Sequence, residues 1–201
     1  MQTKIKKVTL RNLQIEDYKE LKKSMKMAYP AMGNSHWEVK DIEILLELFP
    51  EGQLVVLADG KVVGAALSLI LDEVLVDKNP NYAKITGNYT FSTHNSKGEI
   101  LYGIDVFIHP EYRGLRLGRR LYDARKELCE QLNLKSIVFA GRIPNYNEHS
   151  KKLTPKKYIA KVKRKELHDP VLSFQLSNDF HVMRIMKNYL EGDVDSKEFA
   201  V

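Results

Sequence analysis

The sequence contains almost no cysteine, and this limits the chemistry available to it. Cys129 is the only cysteine among 201 residues, so neither an intramolecular disulfide nor a cysteine-based metal cluster can form. It lies between Leu128 and Glu130 in a predicted helix, where we expect a packed thiol rather than a nucleophile. A chain without disulfides is typical of a reducing compartment, and we expect a cytoplasmic protein.

Long apolar runs are also missing. The longest, from Val62 to Leu71, has the length of a strand and contains a glycine and a serine, whereas a membrane helix needs about 20 apolar residues. The first residues, MQTKIKK, are followed by a polar segment and lack the apolar stretch of a signal peptide. We therefore expect neither a membrane span nor secretion.

Basic residues outnumber acidic ones, and the excess lies in one segment. The chain carries a net charge of +6, while residues 142–165 alone hold nine basic residues and one acid. Such a segment fits either a site for a polyanion or a solvated helix face. Neither an RNA-binding aromatic signature nor zinc-finger spacing accompanies it, so nucleic-acid binding is the weakest interpretation of the chain.

Hydrophobic periodicity predicts a single α/β domain. Helical spacing of apolar residues indicates helices at 17–27, 39–49, 117–132 and 155–167. Short apolar runs indicate strands at 8–10, 54–58, 62–71, 101–108, 136–140, 171–176 and 180–186. Asp59-Gly60 predicts a hairpin, and 29–37 and 72–98 are expected to be loops, the second with a helical turn. The apolar strand 136–140 is expected to be buried on both faces.

The segment 104–121 carries the clearest chemistry. A strand ends at Pro110, and a loop containing two glycines and two arginines leads directly into a long amphipathic helix. Glycines allow close approach of a ligand to the backbone, and the first N–H groups of a helix attract an anion. The local positive charge comes from Arg113, Arg116, Arg119 and Arg120. We interpret the segment as a phosphate site, the alternative being a tight turn with its arginines in solvent.

The same segment resembles the acetyl-CoA-binding motif of the GNAT acetyltransferase superfamily. That motif reads strand, Pro-x-x-Arg-Gly-x-Gly-x-Gly/Ala, helix, and here Pro110-Glu-Tyr-Arg-Gly-Leu-Arg-Leu-Gly118 follows it except that Arg116 replaces the middle glycine. The resemblance implies the GNAT fold, an α/β architecture with a mixed, mostly antiparallel sheet flanked by helices, over residues 1–190. It also implies acetyl-CoA as the cofactor.

The resemblance further implies which residues contact coenzyme A. Backbone groups of Val106 and Ile108 would meet the pantetheine arm, amides from Arg113 to Arg119 would hold the pyrophosphate, and Asn145 matches a frequent cofactor contact. The implied cofactor-binding set is Val106, Ile108, Arg113, Gly114, Leu115, Arg116, Leu117, Gly118, Arg119 and Asn145.

A narrower resemblance covers YRGLRLGRRLYDARKELCEQLNLKSIVFAGRIPNY, LTPKKYIAKV and DPVLSFQLSNDFHV. Together they are similar to the acetyltransferase half of bacterial proteins that fuse a GNAT domain to a carbon–nitrogen hydrolase domain. The hydrolase half, with its Glu-Lys-Cys machinery, is absent from this sequence. Residues 191–201 are interpreted as a tail, or as the start of a linker or strand toward a missing domain, and residues Asp193 to Val201 are expected to pack poorly.

The implied activity is N-acetylation of a primary amine by direct attack, which needs a base and an acid. Asp105 and Glu99 are the first candidates for the base, and His94 and His109 are the second. The tyrosine that often serves as acid in the family would fall on Gln175, so Tyr146 and Tyr122 are the substitutes, with core packing expected for Tyr122.

Two questions stay open on the sequence. A non-catalytic acyl-CoA-binding regulatory module is the alternative to an enzyme, because the usual acid is missing. The acceptor, a small molecule or a protein, is also undefined: lysine side chains, protein N-termini, polyamines and small metabolites all remain, and no metal site is expected.

Overall fold

The computed structural model describes residues 5–30 and 36–201, so residues 31–35 of the predicted loop 29–37 lie outside the described part. Its strands are β1 (Val8–Asn12), β2 (Leu54–Ala58), β3 (Lys61–Leu71), β4 (Ile100–Ile108) and β5 (Ser136–Phe139). They form one sheet in the order β1-β2-β3-β4-β5. The first four pair antiparallel, and β4 pairs with β5 in parallel. The sheet is therefore mixed and mostly antiparallel, as predicted.

Each of the four segments where apolar spacing predicts a helix contains one. The described helices are α1 (Tyr18–Ala28), α2 (Val39–Leu48), α3 (Glu73–Asp77), α4 (Tyr82–Ile85), α5 (Leu117–Gln131), α6 (Tyr146–His149), α7 (Pro155–Lys163) and α8 (Pro170–Leu176). The predicted loop 72–98 thus contains two short helices. Within the described ranges, no helix combines the length and the apolar character that crossing a bilayer requires.

The chain divides into two compact units. The first runs to Val74 and continues from Thr86 to Phe139, and the second comprises Leu75–Ile85 and Ala140–Val201. The first unit contains the whole sheet with α1, α2 and α5, and the second contains α4, α6, α7 and α8. The extent of a single domain over residues 1–190 stays a prediction.

The core of the first unit forms between the sheet and α5. Side chains of β2 and β3, among them Val56 and Ala66, pack against Leu117 and Leu121 of the helix. Leu117 and Leu121 are one helical turn apart and so share a face. On α1, Ser24 is buried and donates its hydroxyl to the Val62 carbonyl at 2.7 Å. The apolar contacts hold the start of α5 beside the sheet, and the Ser24 hydrogen bond joins α1 to β3.

The β2–β3 hairpin turns at Asp59 and Gly60, as predicted. Both residues have positive φ angles, 49° and 84°, which suits a two-residue turn whose twist matches that of the strands. The Asp59 carboxylate also accepts the Lys7 amide at 2.8 Å. The turn therefore anchors the chain that leads into β1.

The predicted strands at 171–176 and 180–186 are wrong. Residues 170–176 form α8, and among the described residues 180–186 contain only one bridge, from Met186 to Ala200. The reason is the N-cap of α8: Asp169 Oδ1 accepts the amides of Val171 and Leu172 at 3.1 and 2.9 Å, and Pro170 follows at the first helical position. Apolar periodicity alone cannot separate a short helix from a strand.

The prediction that Asp193 to Val201 pack poorly is also wrong. Ala200 is 1% exposed and exchanges two hydrogen bonds with Met186, at 2.8 and 3.0 Å. Val201 exchanges two with Gly141, at 2.8 and 2.9 Å. Arg142 forms an ion pair with the buried Asp193. Within the second unit, paired backbone groups and this ion pair hold the segment in place.

Strand β5 is less buried than its apolar sequence predicts. Ser136 is exposed and the residues from Ile137 to Phe139 are half-buried. In the described part of the chain β5 pairs with β4 alone, so it is an edge strand. An edge strand has one flank without a neighbouring strand, which explains the difference.

Candidate active site

The loop between β4 and α5 begins where Pro110 ends the strand. Pro110–Tyr112 form a 3-10 turn, and His109 Nδ1 accepts the Glu111 amide at 3.3 Å. The next four residues, 113–116, are exposed, while Leu117 and Gly118 are buried under the helix start. Because the loop is exposed and α5 is anchored by its apolar face, a ligand can reach the first turn of the helix. The His109 side chain therefore caps the turn that directly follows β4.

Arg116 adopts the backbone conformation that a glycine would favour. Its φ and ψ are 58° and 19°, in the left-handed region, at the N-cap of α5. Gly114 has φ of 80° and nothing within 4 Å of an added Cβ. The loop therefore keeps glycine-type geometry at both positions although one of them is arginine.

The start of α5 suits a polyanion. The first N–H groups of a helix have no partner within the helix, and no acidic residue lies in the first turn. The Arg119 side chain is 58% exposed. Its Nε lies 4.0 Å from Oδ2 of Asp123, which is the outer limit of an ion pair. Free amides, the helix dipole and exposed guanidinium groups thus act together at this point.

We call the edge of β4 that leads into this loop open, because no strand among the described residues pairs with it beyond Gly103. β5 ends at Phe139 opposite Gly103, whereas β4 continues to Ile108. The His109 amide donates to Val63 on β3, and strand groups alternate in direction. The backbone groups of Val106 and Ile108 therefore point away from β3, as the predicted pantetheine contact requires.

The Asp105 carboxylate lies in a largely aromatic environment beside this edge. Its Oδ1 accepts the Tyr29 hydroxyl at 2.6 Å, and its Oδ2 accepts the Trp37 indole N–H at 2.9 Å. The rings of Tyr29 and Phe107 lie 5.9 Å apart, and those of Trp37 and Phe91 lie 5.5 Å apart. Burial raises the pKa of Asp105, and the two hydrogen bonds oppose that rise.

Tyr29 touches the strand as well as the carboxylate. Its hydroxyl lies 3.0 Å from the Val106 carbonyl oxygen, on the open edge of β4. Sequence reasoning placed both Tyr29 and Trp37 in a loop and assigned them no role. The only signal in the sequence is that both are aromatic residues with a polar group, close to the end of α1. Tyr29 and Trp37 lie 76 and 68 residues from Asp105 in the sequence, and only the fold brings them into contact with its carboxylate.

Glu99, the other predicted base, is not brought near Asp105. It lies just before β4, six residues away, which is roughly 20 Å along a strand at about 3.3 Å per residue. Its side chain is 45% exposed, lies 3.7 Å from the Lys135 ammonium and accepts the Glu73 amide. The geometry indicates a surface ion pair.

The remaining titratable candidates of the first unit have structural contacts. His94 Nδ1 accepts the Ile70 amide at 3.2 Å, its ring stacks on Phe49, and burial lowers its pKa. Tyr122 is buried and stacks on Phe139 with the ring centroids 5.5 Å apart, consistent with the expected core role.

Three predicted residues belong to the second unit. Tyr146 is buried, donates its hydroxyl to the Leu153 carbonyl at 3.1 Å, and has a pKa raised by burial. Asn145 donates its side-chain amide to the His168 carbonyl at 3.2 Å. Gln175 is buried. The roles of Tyr146 and Asn145 toward a cofactor stay predictions.

Residues 10–157 match the Acetyltransferase (GNAT) family. Among curated proteins, Probable hydrolase YhcX of Bacillus subtilis (strain 168) is 40% identical over 195 residues, covering 97% of this chain and 38% of that protein. Uncharacterized N-acetyltransferase YkwB of the same strain is 28% identical over 200 residues, covering 98% of this chain and 88% of that protein. The chain thus spans well under half the length of YhcX.

Two solved structures share the fold. The loading GNATL domain of CurA from Lyngbya majuscula has a TM-score of 0.82 at 21% identity, over 97% of this chain and 95% of that one. The GphF GNAT-like decarboxylase in complex with isobutyryl-CoA has a TM-score of 0.79 at 20% identity, over 96% and 95%. The predicted GNAT fold is confirmed, and so is the predicted acyl-CoA cofactor at the level of the family.

Proposed function

Because this chain belongs to the GNAT acetyltransferase family, we propose that it transfers an acetyl group from acetyl-CoA to a primary amine by direct attack. One observation carries the proposal: the open edge of β4 runs directly into an exposed arginine-rich loop at the first turn of α5. A site for an acyl arm and a site for phosphates therefore follow each other along the chain. The isobutyryl-CoA in the GphF complex supports a CoA thioester as the ligand of this fold.

The phosphate part of the site is the loop and the start of α5. We assign the pyrophosphate to the amides that follow Arg113 as far as Arg119, because the Arg113 amide already donates to the Pro110 carbonyl at 3.2 Å. Gly114 leaves open space for it. Arg113, Arg116 and Arg119 compensate its charge. Bound coenzyme A supplies the acetyl thioester, and the backbone groups of Val106 and Ile108 align its arm on the open edge.

The proton transfers involve Asp105 and Tyr29. Asp105 accepts the proton of the attacking amine, and burial, by raising its pKa, makes it a better base. Tyr29 donates its hydroxyl proton to the departing thiolate sulfur, and the proton on Asp105 then returns to the Tyr29 oxygen across their 2.6 Å hydrogen bond. One C–N bond forms and one C–S bond breaks, and the relay ends in its starting state.

Tyr29 replaces Tyr146 in this scheme. The Tyr146 hydroxyl is committed to the Leu153 carbonyl, whereas the Tyr29 hydroxyl bonds a carboxylate and an edge carbonyl of β4. A proton donor must contact both the base that reprotonates it and the leaving group. The position of Tyr29 beside the strand assigned to the acyl arm favours it.

The alternative is a non-catalytic acyl-CoA-binding regulatory module. The observation that favours it is that both oxygens of Asp105 already accept hydrogen bonds, from Tyr29 and Trp37. In this alternative the Asp105 carboxylate serves only to hold Tyr29 and Trp37 against β4. On this reading the chain binds acetyl-CoA and no amine accelerates its consumption.

We also propose that this acetyltransferase occurs together with a hydrolase in longer relatives. YhcX is named a hydrolase, and the chain covers 38% of its length. Such a fusion fits a hydrolase that either consumes the acetylated amine or releases the amine that is then acetylated. Placement in the cytoplasm remains a prediction.

A thiol-release assay separates enzyme from module. Free CoA is measured by a thiol reagent with acetyl-CoA and a panel of amines: spermidine, a lysine peptide, a peptide with a free N-terminus and an amino sugar. The enzyme proposal expects amine-dependent release by wild type and a loss of about 10²–10⁴-fold in Asp105→Asn. Calorimetric binding of acetyl-CoA without amine-dependent release by any of the panel would support the module instead.

A further inference from the structure

Arg125 is a buried arginine whose charge interacts with the Asp105 carboxylate without forming a close ion pair with it. It lies in the middle of α5 and is 1% exposed. Among the described residues it forms no ion pair, although burial of an unpaired charge is costly. Burial also lowers the pKa of its guanidinium. A residue so placed must gain compensating hydrogen bonds, and these lie in the sheet.

The guanidinium joins β3 to β4. Its Nη2 donates to the carbonyls of Leu67 on β3 and Asp105 on β4, both at 2.6 Å. Its Nε donates to the Ser68 hydroxyl at 3.1 Å. The Arg125 side chain thus forms hydrogen bonds with both strands from the face of the sheet that packs against α5.

These bonds lie where the two strands change register. Leu67 pairs with Asp105, but the next residue, Ser68, pairs with Gly103, so Ile104 is an extra residue on β4. This is a β-bulge, which redirects the bulged strand and disturbs the ladder of hydrogen bonds around it. Buried carbonyls that leave the ladder need other donors, and Arg125 supplies them.

Gly103 leaves room for the guanidinium. A Cβ at Gly103 would lie 2.9 Å from Nη1 of Arg125 and 3.2 Å from its central carbon. The bulge, the glycine and the arginine therefore form one arrangement. It lies immediately before Asp105 and Val106, and it coincides with the point where pairing to β5 ends.

We propose that Arg125 is a positioning residue for the acyl arm: by holding the bulge, it sets the direction of β4 from Asp105 to Ile108 and so presents the open edge. This inference rests on the proposed function. Arg125 acts on the strand and not on the phosphate loop, which depends on the start of α5. Its loss should weaken binding of the pantetheine arm and leave binding of the phosphates unchanged.

Two ligands separate these effects. Acetyl-CoA carries both the pyrophosphate and the arm, whereas 3′-phosphoadenosine 5′-diphosphate keeps the pyrophosphate and lacks the arm. Both are titrated by calorimetry into wild type, Arg125→Lys and Glu127→Gln, the last being a control on the exposed side of the same helix. Lysine keeps the charge but cannot span the two carbonyls and Ser68 in the geometry of a guanidinium.

We expect Arg125→Lys to lose about tenfold in affinity for acetyl-CoA, equivalent to about 1.4 kcal/mol, with the affinity for the nucleotide unchanged. Equal affinity of Arg125→Lys and wild type for acetyl-CoA would overturn the inference, and so would an equal loss for both ligands, which signals a general structural effect. Wild type that binds neither ligand contradicts the proposed function instead.

A second variant covers the case in which Arg125→Lys does not fold. Ser68→Ala removes only the Nε partner and leaves both carbonyl bonds. It should show a smaller loss of the same selective kind, for acetyl-CoA and not for the nucleotide. A Ser68→Ala protein that binds both ligands as wild type does, beside an Arg125→Lys protein that unfolds, would assign Arg125 to stability alone.

Discussion

The Tyr29 hydroxyl and the Asp105 carboxylate lie 2.6 Å apart, joining the end of α1 to the bulged part of β4. The contact connects residues 76 positions apart, and it places a hydroxyl and a carboxylate beside the part of β4 that no described strand pairs with. In the proposed mechanism the base and the acid are therefore in direct contact and exchange one proton in each turnover.

Removing the Tyr29 hydroxyl should separate chemistry from binding. In Tyr29→Phe, we expect kcat with an acceptor from the amine panel to fall by about 10²-fold or more, because the thiolate loses its proton donor. Calorimetric affinity for acetyl-CoA should stay close to that of wild type. Tyr146→Phe is the control, and it should retain turnover. If Tyr146→Phe loses turnover while Tyr29→Phe retains it, the assignment of the acid is reversed.

The pKa of Asp105 can be followed through Trp37, the only tryptophan. Its indole N–H donates to Asp105, so its fluorescence should respond when the carboxyl is protonated. Because burial raises this pKa, we expect a transition with a midpoint above 3.8, the ordinary value for aspartate. The same titration of Asp105→Asn should lack the transition. In Tyr29→Phe the midpoint should move further up, since the lost hydrogen bond stabilised the charged form.

The stability of the protein should follow the same titration. A carboxyl with a raised pKa in the folded state stabilises the fold most at pH values below its pKa in the unfolded chain. This contribution should be lost as the pH rises through the folded pKa. Urea unfolding of wild type relative to Asp105→Asn, from acid toward neutral pH, measures it. A relative stability that increases with pH across this window would contradict a raised pKa.

Arg116 offers a test of backbone strain in the loop. Its left-handed conformation costs about 1–2 kcal/mol for a residue with a Cβ. Arg116→Gly and Arg116→Ala remove the same charge, but only glycine removes the strain. Both should bind acetyl-CoA more weakly than wild type by similar factors, while the glycine variant should unfold at the higher temperature. Equal melting temperatures would mean that the loop does not hold this conformation in solution.

The strongest local signals in the sequence predict the loop and helix to which we assign the phosphates. Pro110, the Arg-Gly loop and the apolar stripe of α5 depend on neighbours within a few residues, so their pattern indicates the structure directly. The hairpin at Asp59-Gly60 is predictable for the same reason. The contact between Tyr29 and Asp105 and the role of Arg125 depend on how distant segments pack, and no spacing in the chain indicates either.

The two errors in the second unit have different physical origins. An apolar run after Asp169-Pro170 was expected to be a strand, but the Asp169 side chain caps a helix there. The same carboxylate also accepts the Tyr158 hydroxyl at 2.8 Å and the Asn145 amide at 3.2 Å. The segment from Asp193 to Val201 owes its packing to Arg142, 51 residues before Asp193, and to backbone bonds with Gly141, 60 residues before Val201. The first outcome thus depends on a local helix cap that apolar periodicity does not register, and the second on contacts between residues distant in the sequence.

Asp169 should therefore be a sensitive position for stability. It is fully buried, and replacement by alanine removes the helix cap and leaves the Tyr158 hydroxyl without its acceptor. We expect a loss of about 2–4 kcal/mol in the free energy of unfolding, measured with urea. Tyr158→Phe, which removes one of the hydrogen bonds and keeps the cap, should lose less than half as much. A larger loss in Tyr158→Phe than in Asp169→Ala would show that the cap is unimportant.

Charge repulsion at the loop tests most directly whether coenzyme A binds there. Leu115 is 42% exposed between Gly114 and Arg116, so glutamate and glutamine, which have the same size, can be compared at this position. Calorimetry should give an affinity for acetyl-CoA about fivefold or more weaker in Leu115→Glu than in Leu115→Gln, because a carboxylate repels the pyrophosphate, and the difference should shrink in high salt. Equal affinities of the two variants at low salt would contradict the assignment of this loop as the phosphate site.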